Sequence, residues 1–448
     1  MKRNLTSAQL SIYFASVLDK KNNIYNIGQY TRVKGHLNQD AFKKAVDSVI
    51  LNTEAFSLRL ATESAHPYFV TQDVDQTFLT HSDCREDQIE AEAERVLKRE
   101  FNLTGGLLFR LHLLRINHDD WVLVQAYHHI IIDGHAINVV KRSIFEAYQN
   151  VTANGQHQVT RLHDTAFTDE DAYRKSRLYL RDKKFWHEYL TDWSIQPGLL
   201  GARTDIRNEC IRASIIFDKP INDALTSLAK LSKVSRASLL IAIACVFYTK
   251  RTSRSSCLVS LALSARSSRD RETSVDMRSN TVPLLLTEME SISFSDFVKN
   301  SHSQIKKVIR HQYYRYEDIH LDIFNRVDAP ALHLNYMDFA EAPLSDGFKY
   351  KTHNICNGPV SDIAIAFYDT DPNQIRIDFD ANSKIYTQTS LQNIVGDFSA
   401  FLLSLNSNSL SIKLLQLNLC DEFTRHRVIA TFNQTQHPIE ATTLPDLF

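Results

Sequence analysis

His128-His129-Ile130-Ile131-Ile132-Asp133-Gly134 sets two imidazoles and a carboxylate around an apolar run. An imidazole titrates near neutral pH, so it can take a proton from an attacking nucleophile or hold that nucleophile by a hydrogen bond. A lone histidine in such surroundings reads as a satisfied core residue. Two of them beside a carboxylate are harder to bury, because each costs on the order of several kcal/mol unless it finds a partner. Keeping all three in so short a stretch therefore points to a functional site. Asp133-Gly134 adds a sharp turn, and the glycine lets another group approach the backbone closely.

The element that must present these residues is a strand. Residues 121–129 (WVLVQAYHH) follow a second strand at 107–116 (LLFRLHLLRI), and the polar Asn117-His118-Asp119-Asp120 reads as the hairpin turn between them. Along 121–129, Leu123, Gln125, Tyr127 and His129 share one face, and Val124, Ala126 and His128 the other. The two imidazoles point apart and no third ligand lies at a useful spacing, so a metal site is not expected. After the turn, residues 136–149 read as a helix with Ile137, Val140, Ile144 and Ala147 on one side.

Around this unit the pattern is mixed. Thr6 and Gln9 have capping-box spacing before a helix whose apolar stripe reads as Leu10, Tyr13, Phe14, Val17 and Leu18. A strand is expected at 25–34, then helices near 38–50 (Phe42, Ala45, Val46, Val49, Ile50 inward) and 85–100 (Ile89, Ala93, Val96, Leu97). A charged helix follows at about 168–192. The second half has a buried helix at 236–250 and a strand at 257–265, with further strands near 280–287, 331–340, 362–368 and 374–380. Helices are expected near 294–311 and 388–405. The irregular alternation favours an α+β architecture over a doubly wound parallel sheet. The best single cut lies near residue 180, giving units 1–180 and 181–430 and a tail at 431–448. No GxGxxG, Walker-type loop or HExxH is present.

The bulk composition narrows the class. With 448 residues, 43% hydrophobic and 23% charged, the chain is that of a globular protein of two or three units. With a net charge of −1, interspersed signs and no basic stripe or recognition motif, nothing marks a nucleic-acid binder. Basic runs such as Lys20-Lys21 and 266–271 read as solvated faces. Cys84, Cys210, Cys245, Cys257, Cys356 and Cys420 form no CxxC pair, which argues for free thiols in a reducing compartment. The N-terminus lacks a signal-peptide core and no window is a membrane span, so a cytoplasmic location is expected.

His128 to Gly134 also matches HHxxxDG, and the chain around it resembles the condensation domains of nonribosomal peptide synthetases from end to end. "LTSAQLSIYFASVLDKKNNIYNIGQYTRVKGHLN" is similar to the family's opening motif, and "FNLTGGLLFRLHLLRI" to its strand entry. Tyr173, Ser176, Asp182 and Trp186 fit the helix leading into the second lobe, and "VSLALSAR" ends in Arg266, where such domains carry an arginine. "MRSNTVPLLL", "RHQYYRYEDI", "LNYMDF", "NGPVSDIAI" and "IDFDANSKIY" match later segments in order. "FNQTQHPIEATTLPDLF" resembles the linker to a following adenylation domain, which implies such a domain in the same polypeptide, and Met1 so near the first motif implies its first domain.

The resemblance implies two chloramphenicol-acetyltransferase-like lobes in a V with a central tunnel. A monomer would receive donor and acceptor carrier proteins at opposite ends, with no cofactor beyond their phosphopantetheine arms. A donor acyl thioester would be attacked by the amine of an aminoacyl thioester to form an amide. His129 takes the catalytic place, Gly134 offers a backbone N–H near the reacting centre, and His128 is structural. Asp133 pairs with Arg266, and Asn335 and Tyr336 line the tunnel. Residues 52–60, Asp276 in place of a glycine, and Arg278 depart from the usual pattern. These departures set the chain apart from the standard L-aminoacyl-to-L-aminoacyl subtype, and the form of the opening segment and of "RHQYYRYEDI" resembles starter or siderophore-synthetase-type domains, which take aryl or fatty acyl donors. The rival readings are a silent carrier- or partner-binding domain of the same fold and a free-standing acyl-CoA-dependent acyltransferase. No nucleic acid or membrane is implied.

Overall fold

The computed structural model describes residues 2–434 apart from 19–22, 64–65, 73–76, 155–158, 192–197, 200–209, 267–272, 288–290, 324–329, 338–347, 420–425 and 432. Cys420, the Lys20-Lys21 pair and nearly all of the 431–448 tail lie outside the described residues.

The first half contains β1 (Lys2–Asn4), α1 (Ser7–Leu18), β2 (Asn26–Lys34), α2 (Gln39–Leu51), α3 (Glu54–Ser57), β3 (Leu58–Glu63) and β4 (His66–Thr71). It continues with β5 (Leu79–Asp83), α4 (Ile89–Lys98), β6 (Phe109–Asn117), β7 (Asp120–His128) and α5 (Gly134–Asn154). Two helices, α6 (Ala166–Arg174) and α7 (Arg177–Tyr189), lead onward. The second half holds β8 (Cys210–Phe217), α8 (Lys219–Ser232), α9 (Arg236–Thr252), β9 (Cys257–Leu263), β10 (Asn280–Leu286), α10 (Phe294–Ile309) and α11 (Tyr316–Asp322). It ends with β11 (Leu332–Met337), β12 (Lys349–Cys356), β13 (Ile363–Asp371), β14 (Gln374–Asn382) and α12 (Gln388–Ser404).

These strands form a five-stranded sheet ordered β12-β2-β7-β6-β5, a six-stranded sheet ordered β10-β9-β11-β13-β14-β8, and a small β1-β4-β3 sheet. Antiparallel pairs dominate, with parallel pairs only at β5–β6, β9–β11 and β11–β13 among the described strands. The α+β expectation holds. β7 is the centre of the first half: every residue on it is buried. Its odd positions Trp121, Leu123 and Tyr127 join one apolar cluster, and Val122, Val124 and Ala126 join another that α4 covers. In the second half α9 is buried continuously from Ser238 to Thr249, as an all-apolar helix must be. It carries the largest core, which the six-stranded sheet and α10 and α12 complete.

Residue 180 falls inside α7, and β12, although late in the chain, pairs with β2 of the first half from Lys349↔Lys34 onward. The expected helix at 168–192 is two helices. The first ends at Arg174 with Lys175 as its C-cap, and Ser176 caps the second through its side chain, which accepts from Leu178 N–H. Tyr173 donates to Asp182 at 2.8 Å, His311 Nδ1 bonds the other oxygen at 2.7 Å, and Trp186 Nε1 donates to the His311 carbonyl. The linking helices are thereby tied to the 310–319 segment.

The reading of α1 needs correction. Its capping box forms as expected, with Thr6 and Gln9 bonding each other's backbone N–H. Its buried face, however, is Ala8, Gln9, Ile12 and Ser16, while Phe14, Val17 and Leu18 are 53%, 59% and 83% exposed. Two polar side chains turn inward because they serve the histidine motif: Gln9 Nε2 donates to the Ile130 carbonyl at 2.9 Å, and Ser16 Oγ lies 3.4 Å from His128 Nε2.

Candidate active site

The strand ends at His128 and the chain turns through Ile130–Ile132 into α5, which begins at Gly134, two residues earlier than the apolar pattern suggests. Ile130, Ile131 and Ile132 are all within 1% of full burial and anchor the turn from below. His128 is fully buried. Its Nδ1 accepts the Ile130 N–H at 3.3 Å, which leaves Nε2–H to face Ser16. Burial first, and then the neighbouring His129, push its pKa down to about 3, so it is a neutral structural ring.

His129 points the other way, as the alternation requires. Its backbone N–H donates to the Tyr25 carbonyl at 2.8 Å, and its Nδ1 lies 2.8 Å from the Ile132 carbonyl. A carbonyl can only accept, so Nδ1 carries the proton and Nε2 presents a lone pair. Burial lowers the pKa, against smaller opposite pulls from Asp133 and the Ile132 carbonyl. The ring is therefore held neutral in one orientation and one tautomer. Gly358, at φ +103°, brings its backbone alongside: a Cβ there would sit 3.6 Å from His129 Cδ2.

Asp133 makes the turn rigid. Oδ1 accepts the Ala136 N–H at 3.0 Å, capping α5, and Oδ2 accepts from Arg266 Nη1 at 2.6 Å, Arg278 N at 3.1 Å and Ser279 N at 2.8 Å. Burial alone would raise its pKa, but the Arg266 charge and these hydrogen bonds hold it at about 2. Arg266 is 3% exposed and belongs to no solvated face. Its other nitrogen, Nη2, bonds the Asp276 carboxylate at 2.9 Å. Asp276 also takes Arg278 Nη2 at 2.8 Å and Ser274 Oγ at 2.7 Å, and Arg278 Nη1 reaches Asp169 at 2.7 Å. The two departures noted at 276 and 278 thus compensate each other. Opposite charges two apart in an extended segment were the available signal.

Gly134 borders a cavity of about 800 Å³ whose wall comes from both halves: Ile12, Tyr25 and His129 on one side, Ala262, Thr281 and Asn335 on the other. A Cβ at Gly134 would meet nothing within 4 Å, so the space there is open. The first-turn N–H groups of α5 have no intrahelical acceptor and carry the positive end of a 21-residue helix. Asn335 and Tyr336 both border the cavity, but the Tyr336 hydroxyl is engaged with Asp369 at 2.6 Å. A second cavity of about 1200 Å³ lies across β12, and Tyr350, Asn354, Cys356 and Pro359 line both. Sequence reasoning missed β12 as this shared wall, and missed Gly358 and the Asp276–Arg278 pair as supports.

The five described cysteines are all free. Among the described residues, the only metal-type grouping is His36, His118 and Asp119, exposed at the β6–β7 hairpin and away from the cavity. No single described helix is long and apolar enough to cross a membrane.

Two mixed sheets that enclose a cavity, with one neutral imidazole fixed at a helix N-terminus, make a site of the acyltransferase class. The condensation-domain model matches residues 2–428, and the chain belongs to that family. Condensation domains are the acyltransferases that form amide bonds in nonribosomal peptide synthetases. The chain is 27% identical over 466 residues to a dimodular nonribosomal peptide synthase of Bacillus subtilis (strain 168), covering 100% of this chain and 19% of that protein. It is 24% identical over 411 residues to the isonitrile lipopeptide synthase of Streptomyces coeruleorubidus, covering 87% and 27%. Enterobactin synthase component F of Escherichia coli O157:H7 is 22% identical over 410 residues, covering 86% and 31%. The chain thus spans between 19% and 31% of the length of these relatives. Among solved structures, the first condensation domain of the calcium-dependent antibiotic synthetase superposes with a TM-score of 0.87 at 21% identity, covering 93% of this chain and 99% of that one. The starter condensation domain of rhizomide synthetase gives 0.78 at 22%, covering 94% and 100%. These likenesses establish the chloramphenicol-acetyltransferase-like fold.

Proposed function

We propose that this domain joins a donor acyl thioester to the amine of an aminoacyl thioester, with His129 holding the amine and receiving its proton. The observation that carries the reading is the fixed, neutral His129 ring, whose Nε2 lone pair is left for substrate in a cavity shared by both halves. General-base help is worth about 10²–10⁴-fold, whereas orientation of two bound reactants reaches effective molarities of roughly 10⁵–10⁸ M. An α-amine has a pKa of about 7.7–8.0, so much of it is already free base near neutral pH. Positioning is the larger effect, with proton acceptance following as the tetrahedral centre forms. Gly134 at the start of α5 supplies the positive field for the developing oxyanion. His128, Asp133 and Arg266 hold the turn, and Asn335 and Tyr336 shape the cavity wall.

Both thioesters would arrive on the phosphopantetheine arms of carrier domains, entering from the two cavities that meet at β12. The donor in this reading is an aryl or fatty acyl group, supported by the starter-type form of the opening segment and of "RHQYYRYEDI". The domain would act as a cytoplasmic monomer, and the resemblance of "FNQTQHPIEATTLPDLF" to an inter-domain linker supports an adenylation domain in the same polypeptide.

The test is intact-mass analysis of an aminoacyl-loaded acceptor carrier mixed with this chain and a panel of aryl, fatty acyl and aminoacyl donors on carriers or coenzyme A. A donor-specific mass gain, lost in His129→Ala, is expected. No gain with any donor, from folded protein that still binds a carrier, would leave the silent binding domain as the reading.

A further inference from the structure

The cavity that contains His129 is also lined by His135 and His333, and the reaction uses neither. His333 lies on β11 and borders the cavity from the second half, opposite the motif. Among the described residues no side chain or backbone group hydrogen-bonds or stacks on its ring, although its backbone pairs normally with Ala364 and Ser260. The residue is half-buried, so the ring faces the cavity space rather than being sealed in the core. Its nitrogens are thus left for a group in that space, unlike those of His128, which face Ser16 and the Ile130 N–H.

The neighbours of His333 are small. On the adjacent strand Ala364 and Ala366 stand beside His333 and Asn335, and Ala262 of β9 borders the same cavity. His333 and Asn335 are two apart on a strand, so they project to one face. The result is a shelf of small residues from which one imidazole and one carboxamide rise toward the open space. Burial drives the pKa of His333 down to about 4, so the ring is neutral and offers one N–H donor and one lone pair.

We propose that His333, with Asn335, is a recognition subsite for an uncharged hydrogen-bonding side chain, a hydroxyl or carboxamide, on one of the two reactants condensed at His129. The inference rests on the proposed condensation reaction and names which substrates it prefers. A neutral imidazole and a carboxamide each both donate and accept, which is the complement of those groups and of no purely apolar chain. Sites built to hydrogen-bond a substrate group reject analogues that lack it far more strongly than apolar pockets sort by size. The same chemistry could sit on the donor acyl group or on the acceptor aminoacyl group, and the two are separated by changing one at a time.

Two measurements test this. In the first, initial rates are compared for acceptor pairs (Thr against Val, Asn against Leu, as N-acetylcysteamine thioesters) and for donor pairs (β-hydroxyoctanoyl against octanoyl). Wild type should favour the polar member on one side only, by at least tenfold. His333→Leu should abolish that preference while leaving the apolar pair within about threefold, and His333→Gln should restore it. Equal preference in wild type and His333→Leu, or no preference on either side, overturns the proposal. The second measurement needs no turnover. In His129→Ala protein, the His333 ring resonances should shift on adding the polar thioester and not its apolar partner. No shift with either overturns the subsite. Failure of wild type to form any amide, beside a selective shift at His333, would instead sink the proposed reaction and leave the subsite standing.

Discussion

Replacing Asp133 with alanine should cost stability before it costs chemistry. The carboxylate, itself fully buried, accepts from the buried Arg266 and from Ala136 N, Arg278 N and Ser279 N. Truncating one partner of such a buried pair costs about 3–5 kcal/mol. The backbone N–H groups left behind overlap with that figure rather than adding to it, and Asp276 still pairs Arg266, which keeps the cost from rising further. Against a typical total of about 5–15 kcal/mol, Asp133→Ala should lower the urea midpoint by roughly 1–2 M for an m-value near 3 kcal/mol/M. Asp133→Asn keeps an oxygen where three donors converge and loses the charge and the Ala136 cap, so it should cost about 1–3 kcal/mol. The assay is urea unfolding followed by circular dichroism, with amide formation measured on the fraction still folded. Asp133→Ala with a wild-type midpoint and no activity would refute the reasoning, because the carboxylate would then act on the reactants and not by holding the turn.

His129→Ala should fold normally and lose amide formation by at least 10²-fold; a loss confined to KM would mean that the ring only binds. Because burial lowers the His129 pKa, the acid limb of its kcat/KM profile should lie below the ordinary histidine value of about 6.5, and a limb above it would contradict the buried, neutral ring. Gly134→Ala adds a methyl that meets no atom within 4 Å, so its melting temperature should hold while the rate falls through lost cavity space; a lower melting temperature with full activity would count against that role. Protonation of His128 is resisted in the folded chain, at a pKa of about 3, but occurs near 6.5 once unfolded. Its contribution is therefore intact above that value, and stability should fall as pH drops through 6 and 5, by up to about 1.4 kcal/mol per pH unit. Asp133, with its pKa lowered, adds its own loss only as pH falls below about 4. A stability curve flat from pH 7 to 5 would argue against a buried neutral His128.

The elements that could be read from the chain are those whose periodicity answers to a single burial demand. α2 buries Phe42, Ala45, Val46, Val49 and Ile50, and α4 buries Ile89, Ala93, Val96 and Leu97, as the spacing dictates. The β6–β7 hairpin turns where its polar tetrad lies. Failures came where a polar partner outranks hydrophobicity, as in α1, whose inward Gln9 and Ser16 answer to groups more than a hundred residues away. β8, α8 and β12 escaped notice as well. β12 reads KYKTHNIC, without a clean alternation, because it sits between two cavities and not against a core. In the site, HHxxxDG was visible as chemistry because its residue types are costly to bury. The clamp of Asp276 and Arg278 on the motif, and the bare ring of His333, depend on contacts between distant segments that spacing cannot reveal.

The late strand β12 has a consequence for how the chain is made. Its partner β2 is an edge of the first sheet until Lys349 to Cys356 arrive, with the Thr31 and Thr352 hydroxyls then meeting at 3.2 Å. At a synthesis rate of about 5–20 residues per second, the roughly 230 residues between β7 and the end of β12 take on the order of 10–50 s to emerge. During that interval the nascent first sheet carries an open, mostly buried-type edge strand, the kind of surface that recruits foreign strands. Exchanging either half at residue 180 therefore forces β2 to pair with a foreign strand in place of β12, and hybrids made by swapping whole domains should fold where hybrids cut between the lobes aggregate.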